Sequence, residues 1–161
     1  AGNLEAQASS YYFPHVFGRN FHRSQPGWVN GALDYGYAVM RGACARALVQ
    51  HGMLPSLGLF HSSEQNAFNL ADDLIEPYRP VVDLHVAQQP TRSDENELRP
   101  ADKVALIGLL NVDVSMPRGR MSVLASIEQA AEALARLYDG GSEQVLELPG
   151  LIGLAQHAFE M

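Results

Sequence analysis

A chain of 161 residues, 47% of them apolar, is long enough for one domain with its own core and too apolar for a disordered segment. A single cysteine excludes a disulfide framework, and no apolar run approaches the ~20 residues that span a bilayer. The net charge of −7 has the wrong sign for a simple DNA-binding surface, but it is unevenly spread: residues 1–80 hold five Arg against six Asp or Glu (net −1), and residues 81–161 hold six Lys or Arg against twelve (net −6).

The opening AGNLEAQASS has neither the basic nor the apolar region of a signal peptide, and with the lone Cys44 it points to a reducing cytoplasm. The first residue is not Met and the first candidate site residue is the fifth, the pattern expected of a domain taken from a longer protein. Glu5 to Phe17 reads as a short aromatic-rich helix that Pro14 ends or kinks. A polar loop with Arg19, His22 and Arg23 follows. The strongest helical period runs from Val29 to His51, where Val29, Leu33, Tyr37, Met40, Cys44, Leu48 and His51 recur at spacings of mostly three and four. Asn30 is expected near its N-cap and Gly52 at its C′ position. Gly36, Gly42 and several alanines leave another face small enough for close packing.

LPSLGLFH (54–61) is an apolar connector, extended on this reading, that delivers His61 to the next element. A second helix is expected from Ala67 to His85 with Ala71, Leu74, Tyr78, Val81, Val82 and His85 as its buried stripe, bent at Pro77 and Pro80. Residues 87–100 are the best loop in the chain. Beyond them come an apolar helix at 102–113, a loop at 117–120, an alanine-rich helix at 122–138 ended by Asp139-Gly140-Gly141, and an apolar tail able to dock. No repeat and no alternating strand pattern appears. The class is all-α: a core over 1–86, a loop over 87–100, and C-terminal helices over 101–161.

The sharpest local feature is Asp72, Asp73, Glu76 and Arg79, at spacings of three and four on one helix. Clustered carboxylates repel unless a cation lies among them, so the pattern fits a divalent ion with oxygen ligands, and Arg79 is placed to hold a phosphate bidentately. Spacing alone fits better a solvated acidic face with an intrahelical Glu76–Arg79 pair. His61 taken alone is more often a structural histidine than a ligand, and Glu5 taken alone answers the helix dipole. His15, His22, His51, His85 and His157 have no zinc-ligand spacing. Cys44 lies on an apolar face and reads as core. Tyr11, Tyr12, Phe13 and Phe17 read as core, and Arg19, Arg23, Arg118 and Arg120 as loop arginines open to phosphates or to solvent.

Three ordered segments resemble the catalytic domain of the CRISPR-associated integrase. LEAQASSYYFPHVFG resembles the stretch that opens that domain. VNGALDYGYAVMRGACARALVQHGMLPSLGLFH resembles its long central helix and the connector ending in a catalytic histidine. NAFNLADDLIEPYRPVVD resembles its second carboxylate helix, with 56 residues from Glu5 to His61 and 15 more to Glu76. DKVALIGLLNVDV and SVLASIEQAAEALARLYDG resemble the C-terminal helices of the type II branch.

The resemblance implies an all-helical domain without the family's N-terminal β-rich domain. It implies a divalent-metal site, Mg²⁺ or Mn²⁺, built from Glu5, His61 and Glu76 as both ligands and catalytic residues. Asp73 matches a supporting acidic position and Arg79 a basic one that meets DNA, with Arg19 and Arg23 as further candidates. An imidazole ligand suits Mn²⁺ better than Mg²⁺. The implied activity is a DNA endonuclease or integrase that inserts spacers into a CRISPR array. The implied partners are double-stranded DNA, a second copy of the full-length protein and a small partner protein. Without the β-rich domain, weak, salt-sensitive DNA binding and no two-ended integration are expected. A helical interaction module with a structural acidic face, and a metal-dependent repair nuclease, are the alternative functions.

Overall fold

The apolar stripe centred on Leu33, Tyr37, Met40, Cys44 and Leu48 builds the central element, α2 (Trp28–Gln50), and all five side chains are buried. The protein is seen here as a computed structural model in which residues 4–90, 97–140 and 146–158 are described, the Glu5 side chain excepted. The position before α2 is Gly27, with no side-chain cap, and the expectation for Asn30 is corrected: it is buried inside the first turn. Its amide donates to the carbonyls of His22 and Gln25, 2.9 and 2.7 Å away, and ties down the preceding loop. Gly52 follows the helix at φ 76°, the left-handed C′ geometry expected of it.

α1 (Leu4–Phe17) contains Pro14 and runs on past it, so the proline does not end the helix. Phe13, Phe17 and Phe21 hold that end together, with ring centroids 5.0–6.2 Å apart. The second carboxylate helix is broken where its prolines lie: α3 (Asn69–Ile75), a 3-10 turn (Glu76–Tyr78) and α4 (Arg79–Ala87). Its expected stripe is buried at Ala71, Leu74, Tyr78, Val81 and Val82, while His85 is half-buried. α3, α4, α5 (Pro100–Gly108) and α6 (Val123–Tyr138) all pack on α2.

The small face of α2 sets how close these helices come. A Cβ at Gly36 would lie 2.5 Å from Val82 Cγ1 and 3.3 Å from Leu106 Cδ2. Gly36→Ala therefore sets about 1 kcal/mol of better helix propensity against about 1–3 kcal/mol of overpacking. A net loss of stability in urea unfolding is the expected result.

Two expectations fail between α5 and α6. The helix expected to reach 113 ends at Gly108, and the segment from Asp113 is a hairpin: β1 (Asp113–Met116) pairs antiparallel with β2 (Gly119–Ser122) around the Pro117-Arg118 turn. Val114 and Met116 alternate inward, but a four-residue strand directly behind an apolar helix gives too short a period to stand out. Ser122 caps α6, its hydroxyl accepting from the Ala125 N–H, and Gly140 follows at φ 90°. The tail docks as expected, through bridges Ser115–Gly150 and Val112–Gln156 and a 2.6 Å contact from His157 Nδ1 to Asp113. The middle of the loop expected at 87–100, and Gly141, lie outside the described residues.

Candidate metal centre

The connector before His61 is tightly folded, not extended as expected from sequence. The Leu70 N–H donates to the Pro55 carbonyl, and the Asn69 amide donates to the carbonyls of Ser56 and Ser63, 3.0 and 2.8 Å away. Gly58 passes so close that a Cβ there would sit 2.2 Å from the His61 carbonyl and 2.8 Å from Asn69 Cβ. Asn69, buried at the start of α3, thus folds the loop whose last residue is the candidate histidine.

Asp73 completes that loop. One oxygen accepts from the backbone N–H groups of Leu59 and Phe60, and the other accepts from the His61 N–H at 3.1 Å and from His61 Nδ1 at 2.7 Å. Burial pushes the Asp73 carboxyl up, but these hydrogen bonds, His61's first, outweigh it and hold the group below its ordinary value of 3.8. An ionised carboxylate can only accept, so Nδ1 is the donor of this contact, and in the neutral ring that leaves Nε2 with its lone pair. A carboxylate that fixes a histidine tautomer in this way is the usual support of a metal-binding imidazole.

Glu76 stands three residues on, at the junction of α3 with the 3-10 turn, its side chain half exposed. Arg79 Nε pairs with it at 2.9 Å, and the guanidinium lies 4.8 Å over the Tyr37 ring. Asp72 turns elsewhere, accepting from the Asn66 amide at 2.7 Å. The four residues that share a face by spacing therefore do three different jobs. Asp73 holds the connector, Asp72 meets Asn66, and Glu76 and Arg79 pair with each other. Among the described residues no three His, Cys, Asp or Glu side chains form a metal-holding group; Glu5, the third expected ligand, has its side chain outside them.

Arg19 is exposed in the turn after α1. Arg23 donates to Asn30 Oδ1 at 2.6 Å and to Asp34 and lies over the Phe13 and Tyr37 rings. Arg118 and Arg120 are exposed on the hairpin. Cys44 is fully buried, and burial pushes its thiol up to about 12, which fits an inert core cysteine.

Sequence reasoning missed Asp83. It is buried on α4, and its two oxygens accept from the hydroxyls of Tyr37 on α2 and, at 2.8 Å, Tyr12 on α1. Burial pushes its carboxyl up against the two phenol hydrogen bonds and the charges of Arg79 and Arg23. This carboxylate fastens α1, the helix that carries Glu5, to α2 and α4. The available signal was an acid set directly after Val81 and Val82 in an apolar stripe, four residues from Arg79.

The helical domain has counterparts among known proteins. The fold matches that of a solved casposase bound to integration product, with a TM-score of 0.73 over 88% of this chain and 48% of that one, at 22% identity. Residues 3–98 match the family described as CRISPR associated protein Cas1, and the chain belongs to that family. It is 44% identical to a CRISPR-associated endonuclease Cas1 of Neisseria meningitidis over 99% of this chain and 53% of that protein. It is 36% identical to one of Pyrobaculum aerophilum over 56% of this chain and 31% of that protein. The chain thus spans about half, or less, of the curated relatives it matches.

Proposed function

We propose that this chain is the helical catalytic domain of a CRISPR-associated integrase, a divalent-metal-dependent enzyme acting on DNA phosphodiesters with His61, Glu76 and Glu5 as ligands. The observation that carries this reading is the Asp73–His61 pair. A partly buried, ionised carboxylate holds the ring by Nδ1, which in the neutral ring leaves the Nε2 lone pair for a cation. His61 and Glu76 supply one nitrogen and carboxylate oxygens, a donor set that fits Mn²⁺ and, less well, Mg²⁺. Family membership and the relative named as an endonuclease support DNA as the substrate.

The reaction is a transesterification. A new P–O bond forms to an incoming 3′-oxygen as the P–O3′ bond of the target strand breaks. The nucleophile loses its proton and the displaced 3′-oxygen gains one, so no energy-rich co-reactant is consumed. An ion held by His61, Glu76 and Glu5 would polarise the phosphoryl group and favour the deprotonated nucleophile. Asp73 keeps His61 in one tautomer, and Arg79, stacked on Tyr37 and paired with Glu76, offers its terminal N–H groups to phosphate oxygens. With water in place of the 3′-hydroxyl, the same groups cleave DNA. In the whole protein we assign a homodimer and a small partner protein the task of holding two DNA ends apart.

A Mn²⁺ titration tests the reading. A ligand that binds only the folded state raises the unfolding temperature with concentration. The expected result is a Mn²⁺-dependent rise in Tm together with Mn²⁺-dependent DNA cleavage, both lost on chelation. A helical scaffold with a structural acidic face shows neither, and that outcome rejects the proposal.

A further inference from the structure

Beside Glu76 lies a cavity of about 240 Å³ where three arginines from three parts of the chain converge: Arg23 from the loop before α2, Arg41 from α2 and Arg79 from the start of α4. Asp34, Asp72 and Tyr37 complete the wall used here. Three arginines and two aspartates line the cavity itself, and Glu76, just outside the lining, pairs with Arg79. The arginines are not equally engaged. Arg23 is held by Asn30 and Asp34. Arg79 meets Glu76 through Nε alone. Arg41 makes no hydrogen bond among the described residues; Asp72 stands 3.8 Å off, at the limit of ion pairing, and already accepts from the Asn66 amide. What fixes Arg41 is the face of Phe68, 5.1 Å from its guanidinium. Arg41 is thus held by stacking on Phe68 and by one long ion pair to Asp72, without a hydrogen bond among the described residues, and it lines the cavity together with Arg79.

We infer that this cavity is a phosphate subsite in which Arg41 and Arg79 together hold one backbone phosphodiester of the DNA strand, next to the phosphodiester that reacts. The inference rests on the functional reading above and deepens it, because Arg79 joins the cavity to Glu76. Two guanidiniums converging on one anion suit the oxygens of a phosphodiester, and Arg23, locked by Asn30 and Asp34, contributes charge rather than a direct bond. The contact is to backbone, so it adds affinity without sequence preference.

DNA affinity of the full chain, measured by fluorescence anisotropy with a labelled duplex bearing 3′ overhangs between 50 and 200 mM KCl, tests this. Arg41→Ala is expected to weaken binding several-fold and to lower the slope of log affinity against log salt by about one, as the loss of one phosphate contact requires. The Mn²⁺-dependent rise in Tm stays as in the unsubstituted chain. Arg41→Lys restores the slope and only part of the affinity, since a point charge replaces a fork. Arg46→Ala, on the same helix but paired with Glu128 at 2.6 Å, leaves both unchanged. Unchanged affinity and slope in Arg41→Ala, or the same loss in Arg46→Ala, overturns the subsite. Two failures are distinguishable. If cleavage needs Mn²⁺ and Arg41→Ala binds normally, the subsite alone is wrong. If Arg41→Ala weakens binding but no Mn²⁺-dependent cleavage exists, the catalytic reading alone is wrong. A chain that does not bind DNA overturns both.

Discussion

His61→Ala and Glu76→Ala are each expected to lower metal-dependent DNA cleavage by more than about 100-fold while leaving the chain folded, because losing a direct ligand costs at least what losing its support does. The side chains are 35% and 50% exposed, so neither contributes to the core, and exposed substitutions of this kind move stability by roughly 1 kcal/mol or less. In His61→Ala the three backbone donors to Asp73 remain, which keeps the connector closed. The two variants differ in one respect. Glu76→Ala also removes the partner of Arg79 Nε and frees a guanidinium beside the proposed phosphate subsite. DNA affinity in Glu76→Ala should therefore equal or exceed that of the unsubstituted chain even as cleavage disappears. Cleavage rates, circular dichroism and anisotropy on the same preparations check this, and unchanged cleavage in either variant rejects that residue as a ligand.

What the sequence could tell depended on how local each signal was. α2 and α6 were legible because apolar residues recur at helical spacing over 23 and 16 residues, with glycines just past their ends. The break near Pro77 was legible for the same reason that it exists, a residue without an N–H inside a helix. The hairpin was hidden, since β1 and β2 have four residues each and follow an apolar helix without a separating turn signal. Pro14 was the weaker signal at the other end: α1 runs past it and stops at Phe17, before Gly18.

The site divides in the same way. His61, Glu76 and Arg79 were visible through the resemblance and through spacing on one helix. The Glu76–Arg79 pair is the contact that the plain reading of that spacing gives. The role of Asp73 as the closure of a connector 12–14 residues away was not readable from helix periodicity, because its partners are backbone N–H groups of a loop. Asp83 was invisible for a related reason. Its partners, Tyr12 and Tyr37, lie 71 and 46 residues away, and each reads in isolation as an ordinary core aromatic. Long-range polar contacts leave no period in the sequence, although an acid inside an apolar stripe shows that a partner must exist.

Asp73→Ala is expected to damage the site more broadly than loss of any single ligand, because it opens the connector. Three backbone donors and one ring donor lose their acceptor at once. The connector is partly solvated, so water takes over some of these bonds, and a stability loss of about 2–3 kcal/mol is expected rather than the full sum of four unsatisfied groups. Amide hydrogen exchange at 59–61 should accelerate far more than at the centre of α2. Apparent Mn²⁺ affinity should fall about 10–100-fold, the usual cost of removing the group that orients a metal-binding histidine. Asp73→Asn separates shape from charge. Its carbonyl still accepts, but its amide is a donor facing donors, so the connector closes weakly and the ring loses its fixed tautomer. The pH dependence follows from the lowered carboxyl value. A group held below its ordinary 3.8 contributes stability that is full above that value and is lost as pH falls through the lower folded one. The unsubstituted chain should lose this increment as pH falls below about 3.8, and Asp73→Asn should lack it at every pH. Unchanged exchange at 59–61 in Asp73→Ala would show that Asn69 and Gly58 alone hold the connector, and the carboxylate would then have no claim to position His61.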